Sequence, residues 1–400
     1  MLVLIFITST IENLMKQRYI VLGGAPGSTG GPDDILFESR STGQAPTIPL
    51  STADLDDDEA QEHIRNRVPI ASPDVPLALI TPTESSTADL AAIPWGLDAV
   101  GALTSPRSGK GVRVAVLDTG IDLQHAAFAA LRAQHRIVVK NFTNGDEDDV
   151  TDMVGHGTHC AGTIAGGPVG GQRIGVAPDI ETLLVGKVLG PGGGTNKTLT
   201  DAIQWATLQG AHIVSMSLAI DFPNLVKRWI ADGMPELAAT STALKEYRET
   251  VNLFRKLADF LSTQNVLLVA ATGNEANRPR YTIDVAPPAA SDHIIKVGAV
   301  GRALGGAHPV ARFSNTGPDL VAPGVDIVSA CLNGGVCALN GTSMATPHVA
   351  GVAALWHEHL RARQGEVLYD DLKAEILGGA QAIHGARVDF GRGLVRAPQK

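Results

Sequence analysis

Five short runs of almost unbroken apolar residues constrain this chain more than any other feature. VRVAVLD (112–118), TLLVGKVL (182–189), HIVSMSL (212–218), NVLLVAAT (265–272) and HIIKVGAV (293–300) lack the alternation of a half-exposed strand. A strand apolar on both sides has to be covered on both sides. The segments between them, HGTHCAGTIAG, NKTLTDAIQWATLQG and the stretch from Pro223 to Thr263, carry helical patterns. Strands alternating with helices predict an α/β fold, with a mostly parallel central sheet and helices on both faces. Within the last stretch, residues 224–262 space Leu, Val, Phe and Ala by three and four, which predicts two amphipathic helices.

Before Gly111 the pattern differs. A chain of 400 residues can hold one large domain and a smaller one. Residues 24–56 are rich in Gly, Pro, Ser, Thr and Asp and read as loop. Around them, QRYIVL (17–22), DLDDDEAQEHIRNR (54–67) and VPLALI (75–80) suggest strand, helix and strand of a small α+β unit. A Pro/Ser/Thr-rich linker at 81–94 separates this unit from the rest, giving an N-terminal extension at 1–92 and a main domain at 93–400. The apolar run LVLIFI (2–7) is short, has no basic flank and no small-residue cleavage motif. Met15 is an equally good start, so the compartment stays open.

Composition excludes two classes. The net charge is −9 with no clustered Lys and Arg, which argues against a nucleic-acid partner. No apolar run approaches the roughly 18 residues of a membrane span. The three cysteines decide little: Cys160 falls in an apolar helix, where a thiol is usually a small core group. Cys331 and Cys337 flank a possible hairpin turn, so a local disulfide is open.

Chemistry-bearing residues cluster where strands end or helices begin. Asp118 closes a buried strand in VAVLDTGID, the edge at which parallel sheets present ligands, though a carboxylate there also serves to cap a turn. His156 opens a helix between Gly155 and Gly157, which leave room for a partner to reach an imidazole able to shuttle protons. His159, three residues on, raises a His-x-x-His metal pair, but the acidic partner of such motifs is missing. Ser343 stands at the mouth of another helix, as a cap or as a nucleophile beside free backbone N–H groups. Serine, histidine and aspartate supply a nucleophile, a base and an orienting carboxylate. Asn274, after the strand ending AATGNE, could offer its amide to a developing oxyanion.

DTGID (118–122), GHGTHCAGT (155–163), GVAP (175–178), SMSLA (215–219), ATGN (271–274) and NGTSMATPHVAG (340–351) closely resemble the subtilisin-like serine proteases. The likeness covers residues 93–398, about three quarters of the chain, and keeps the family order Asp, His, Asn, Ser. It implies a three-layer subtilisin-like fold and an endopeptidase with Asp118, His156 and Ser343 as triad and Asn274 in the oxyanion hole. It further implies that an extended polypeptide pairs with the SMSLA strand. Ser217, Leu218 and Ala219 would form one wall of the main specificity pocket, and Thr272 and Gly273 the other.

Departures from the family pattern sharpen these expectations. Ala219, and Ala286 at the pocket floor, stand where glycine is usual, so the pocket is expected to prefer small or medium apolar side chains. The interval from Ser217 to Ala271 is long, which marks a helical insertion at about 222–262, either surface elaboration or an exosite or lid. GGPVGGQR (166–173) lacks the oxygen ligands of a strong calcium site, so no calcium is expected there and no cofactor is predicted, with weaker structural calcium sites elsewhere left open. Residues 15–80 resemble, weakly, the family's inhibitory prosegment, whose tail would run through the cleft; a monomeric zymogen is expected. Three rivals remain: an aspartic protease, which needs a second Asp-Thr-Gly motif that is absent; an inactive binding module on a protease scaffold; and a dedicated processing peptidase with one substrate.

Overall fold

The computed structural model describes residues 17–22, 50–55, 70–84, 94–303 and 306–400. Strands β1 (Gln17–Leu22), β2 (Leu50–Leu55) and β3 (Ile70–Pro73) form an antiparallel sheet in the order β2-β1-β3. This corrects two expectations. Residues 50–55 read as loop and as the start of a helix, yet they pair along the whole of β1, with Leu55 buried against Tyr19 and Val21. Serine and threonine in LSTADL suit the outer face of an edge strand, so loop composition misled. The rest of the expected helix (56–67), the apolar run 2–7 and linker residues 85–93 lie outside the described residues.

After β3 the chain continues as β4 (Pro76–Leu79) and β5 (Thr83–Glu84), and then a short helix α1 (Trp95–Ala99), with a second short helix, α2 (Ala129–Ala133), further on. The central sheet follows. Its strands are β6 (Arg113–Asp118), β7 (Ile137–Asn141), β8 (Thr182–Lys187), β10 (Ile213–Met216), β12 (Leu267–Ala271), β13 (Ile294–Val300) and β14 (Leu320–Pro323). All seven are parallel, in the order β14-β13-β12-β10-β6-β8-β7. The five apolar runs are its inner strands. The edge strands β7 and β14 escaped notice because one is half-exposed and the other only four residues long.

Helices cover both faces. On one face lie α3 (His156–Ala165) and α7 (Thr342–Gln364), packed on each other and on the sheet through Cys160, Ile164, Val349 and Val352. On the other lie α4 (Asn196–Leu208) and α6 (Glu236–Thr263), contributing Leu199, Ile203, Phe254 and Leu257. The stretch read as an insertion folds as a helical hairpin of α5 (Phe222–Ala231) and α6, and α6 packs against β3 of the N-terminal sheet. The sheet winds outward in both directions from β6 and β10. Their carboxyl ends therefore open a crevice, the place where such sheets bind ligands.

Candidate active site

Asp118 is the last residue of β6, and Thr119 and Gly120 turn the chain away from the sheet. His156 is the first residue of α3, entered through Gly155 in the left-handed region (φ 89°). A Cβ at Gly157 would lie 2.2 Å from the Gly120 carbonyl oxygen, so only glycine lets the helix mouth rest against the strand end. The result is contact between two buried side chains, with His156 Nδ1 2.7 Å from Asp118 Oδ1. Nδ1 donates to the carboxylate, which leaves the lone pair on Nε2. Nε2 is buried with no hydrogen-bond partner among the described residues. Burial opposes the imidazolium, but the Asp118 carboxylate outweighs it and holds His156 well above its ordinary pKa, so Nε2 carries its lone pair only above that raised value.

Ser343 is the second residue of α7, fully buried behind the strand in the cleft. Its hydroxyl donates to the Ile80 carbonyl at 3.3 Å and reaches the Ser217 carbonyl at 3.5 Å, and makes no hydrogen bond to His156 Nε2. One group touches both sides of the gap: Cys160 Sγ lies 3.9 Å from His156 Nδ1 and 3.4 Å from the Ser343 carbonyl oxygen. Burial raises the thiol pKa, so Cys160 stays neutral. Asn274 follows β12, its Oδ1 accepting from Thr342 N and Thr342 Oγ1, both at 2.9 Å. Its Nδ2 thereby points into the crevice and donates to the Thr81 carbonyl at 3.3 Å.

The two histidines of His-x-x-His diverge. His159 Nε2 is 2.9 Å from the Ile327 carbonyl, and burial lowers its pKa to about 3. Asp118, His156 and Cys160 are the one metal-donor group among the described residues; Oδ1, Nδ1 and Sγ contact one another, while Asp118 Oδ2 and His156 Nε2 have no hydrogen-bond partner there. Cys331 and Cys337 form a disulfide across the turn between β15 (Ile327–Ala330) and β16 (Val336–Asn340).

The crevice is occupied by the chain itself. β4 lies antiparallel between β9 (Gly194–Thr195) and β11 (Leu218–Ala219), with Leu79 opposite Leu218 and Ala78 opposite Ala219. Ile80 then buries its side chain among Ala219, Ala271 and Ala286. Beyond it, β5 pairs with β16. Leu218 and Ala219 therefore pair with this strand, and Ala219 packs against Ile80 on one side. Thr272 and Gly273 follow Ala271 on the other, where Ala286 N donates to the Thr272 carbonyl at 3.1 Å. Sequence reasoning missed Asp152 and Asn315, two buried side chains that organise these loops, because neither lies in a motif with a chemical signature.

Two comparisons with known proteins agree with this geometry. The family model described as the subtilase family matches residues 109–393. The major intracellular serine protease of Bacillus subtilis (strain 168) is 38% identical over 257 residues, 62% of this chain and 68% of that protein. Alkaline elastase YaB of Bacillus sp. (strain YaB) is 35% identical over 313 residues, covering 76% of this chain and 69% of its own length. Subtilisin Savinase of Lederbergia lenta is 34% identical over 317 residues, 76% of this chain and 97% of that protein. The parallel sheet, the helix mouths at its crevice and these matches together place the chain in the subtilase family, as a subtilisin-like serine endopeptidase.

Proposed function

We propose that Ser343, His156 and Asp118 form the catalytic triad of this endopeptidase, and that Asn274 and the Ser343 N–H stabilise the oxyanion. His156 Nε2, free because Nδ1–H is committed to Asp118, accepts the Ser343 proton as Oγ attacks the scissile carbonyl. The same proton goes to the leaving amine as the C–N bond breaks. Water, deprotonated by His156, then cleaves the acyl-enzyme. The side-chain amide of Asn274 and the backbone at the mouth of α7 donate to the oxygen as it becomes negative. The mechanism draws on no cofactor.

One observation carries this reading: an extended strand already lies in the crevice, paired on both edges, with its Ile80 carbonyl at Ser343 Oγ. A polypeptide substrate would add in the same way, as a strand between β9 and β11 with an apolar residue at the Ile80 position. Residues 1–92 act in this reading as an inhibitory prosegment on the catalytic domain 93–400, in a monomer. Asn274 binds the Thr81 carbonyl and the Ser343 hydroxyl faces the Ile80 oxygen, so the strand rests as a ligand and not in an attack pose. The helical hairpin would then serve as its platform, since α6 packs against β3.

The test uses the full chain with an apolar peptide anilide and a fluorophosphonate probe. Labelling and hydrolysis, both lost in Ser343→Ala and both faster in Ile80→Asp, are expected. Hydrolysis that survives Ser343→Ala would end the triad assignment, and an unaltered Ile80→Asp would end the prosegment's role.

A further inference from the structure

Asp118 and His156 come from different segments, and nothing in the sheet itself fixes the distance between a strand end and a helix mouth. Between them lies Asp152, buried, its carboxylate receiving five hydrogen bonds. Oδ1 accepts from Thr119 Oγ1 (2.9 Å), Val154 N (3.0 Å) and Gly155 N (2.8 Å). Oδ2 accepts from Thr158 N (2.9 Å) and Thr158 Oγ1 (2.7 Å). The groups around it are all donors, and among the described residues no lysine or arginine pairs with it. Those hydrogen bonds hold its pKa below the ordinary carboxylate value although burial works against the charge.

The two threonines make the lattice reciprocal. Thr119, next to Asp118, accepts from Gly157 N of α3 at 2.9 Å. Thr158, in α3, accepts from Asp122 N of the loop after β6 at 2.9 Å. Each hydroxyl thus gives its proton to Asp152 and takes one from the opposite segment. Asp152 caps the helix mouth through Val154 N, Gly155 N and Thr158 N; the threonine hydroxyls go beyond that cap, since each bridges the two segments, Thr119 Oγ1 also taking the first-turn N–H of Gly157.

We propose that Asp152 is a positioning residue, which through the hydroxyls of Thr119 and Thr158 locks the strand end bearing Asp118 to the helix mouth bearing His156. The proposal rests on the triad reading above. Asparagine at 152 keeps the shape but turns an NH2 toward the Thr158 N–H, which cannot reverse its role. The two segments then separate slightly, and misplacement of about 1 Å costs about a hundredfold in rate.

The experiment measures kcat and KM against pH for the full chain, with active sites counted by fluorophosphonate titration. Asp152→Asn is expected to lower kcat about a hundredfold with KM within about twofold. A loosened Asp118 contact also lowers the imidazole pKa, so the acid limb should move down by about half a unit. Thr119→Val and Thr158→Val should each reproduce part of the loss, and Thr119→Ser and Thr158→Ser should stay within about threefold of the parent. Should Asp152→Asn fail to fold, the valine and serine pairs decide. An unchanged kcat, or a loss that tracks the folded fraction with an unmoved acid limb and no advantage of serine over valine, overturns the proposal. A parent chain whose hydrolysis survives Ser343→Ala instead overturns the triad reading beneath it.

Discussion

The two walls of the crevice are each held by one buried side chain, and the two are chemical opposites. Behind Asp118 and His156, Asp152 faces five donors. Behind Asn274, the fully buried Asn315 faces both kinds of group. Its Oδ1 accepts from Glu275 N and Ala276 N, each at 3.1 Å. Its Nδ2 serves Thr272 O (3.1 Å), Glu275 Oε2 (2.6 Å) and Asp284 O (3.3 Å). A carboxylate suits a site of donors only; a carboxamide suits a mixed one. The difference follows from backbone geometry. A helix mouth exposes N–H groups, whereas two crossing loops expose N–H and C=O alike.

The largest expected contrast between the walls is kinetic. In the proposed mechanism His156→Ala removes the base of a unit that works together and should lower kcat about 10⁶-fold. Asn274→Ala removes the proposed oxyanion donor and should lower it about 10²- to 10³-fold with KM little changed. Equal losses, read by peptide anilide hydrolysis, would mean that the walls do not divide proton transfer from charge stabilisation. The reciprocal exchange comes next. Asn315→Asp would turn carboxylate oxygen toward Thr272 O, Asp284 O and the Glu275 carboxylate, costing about 3 kcal/mol. Asp152→Asn should cost about 2 kcal/mol, one buried donor being left against another. Urea midpoints measure both, and a neutral result at either position would refute the match between hub and surroundings.

The same comparison shows what the sequence could reveal. Asp118, His156, Asn274 and Ser343 sit in short motifs at element ends, so residue type and position together marked them as candidates. The inner strands were equally plain, since burial on both faces leaves an unbroken apolar run. Asp152 and Asn315 were not legible because their meaning lies in distant partners: Thr119 precedes Asp152 by 33 residues, and Asn315 stands 43 residues after Thr272. Strand β2 was misread for a related reason, as its edge pairing with β1 depends on a partner that composition does not show. The hydroxyl of Ser343 was expected to face His156, and the chain's own Ile80 carbonyl competes for it.

Acidity should separate the walls a third way. Asp152 has a folded pKa below 3.8, so it adds stability above that value and loses it as the pH falls through the folded value. His156 has a folded pKa above 6.5, so its pairing with Asp118 adds stability in full below 6.5, which fades as the pH rises through the folded value. Melting temperatures against pH should therefore fall less below 3.8 in Asp152→Asn, and less above 6.5 in His156→Gln. Asn315 has no proton to lose, and its wall should contribute no such slope. Parallel curves for parent and variants would show that neither charge is coupled to folding.

The smallest effect concerns what the Asn315 wall allows into the pocket. Asp284 O is tied to Asn315, and Ala286 N is tied to Thr272 O, so the floor carrying the Ala286 methyl is held at both ends. Ile80 fits beside that methyl, with Ala219 and Ala271 around it. A rigid floor cannot yield to an aromatic ring, so the parent should prefer small or medium apolar residues over Phe and Tyr in a peptide library. Ala286→Gly removes one methyl, a change worth about 1–3 kcal/mol in an apolar pocket. It should raise kcat/KM for Phe relative to Ala by about tenfold, and Ala219→Gly should act in the same direction. A parent profile led by Phe and Tyr would show that the floor moves, and with it that a carboxamide hub holds its loops less firmly than the carboxylate hub holds the opposite wall.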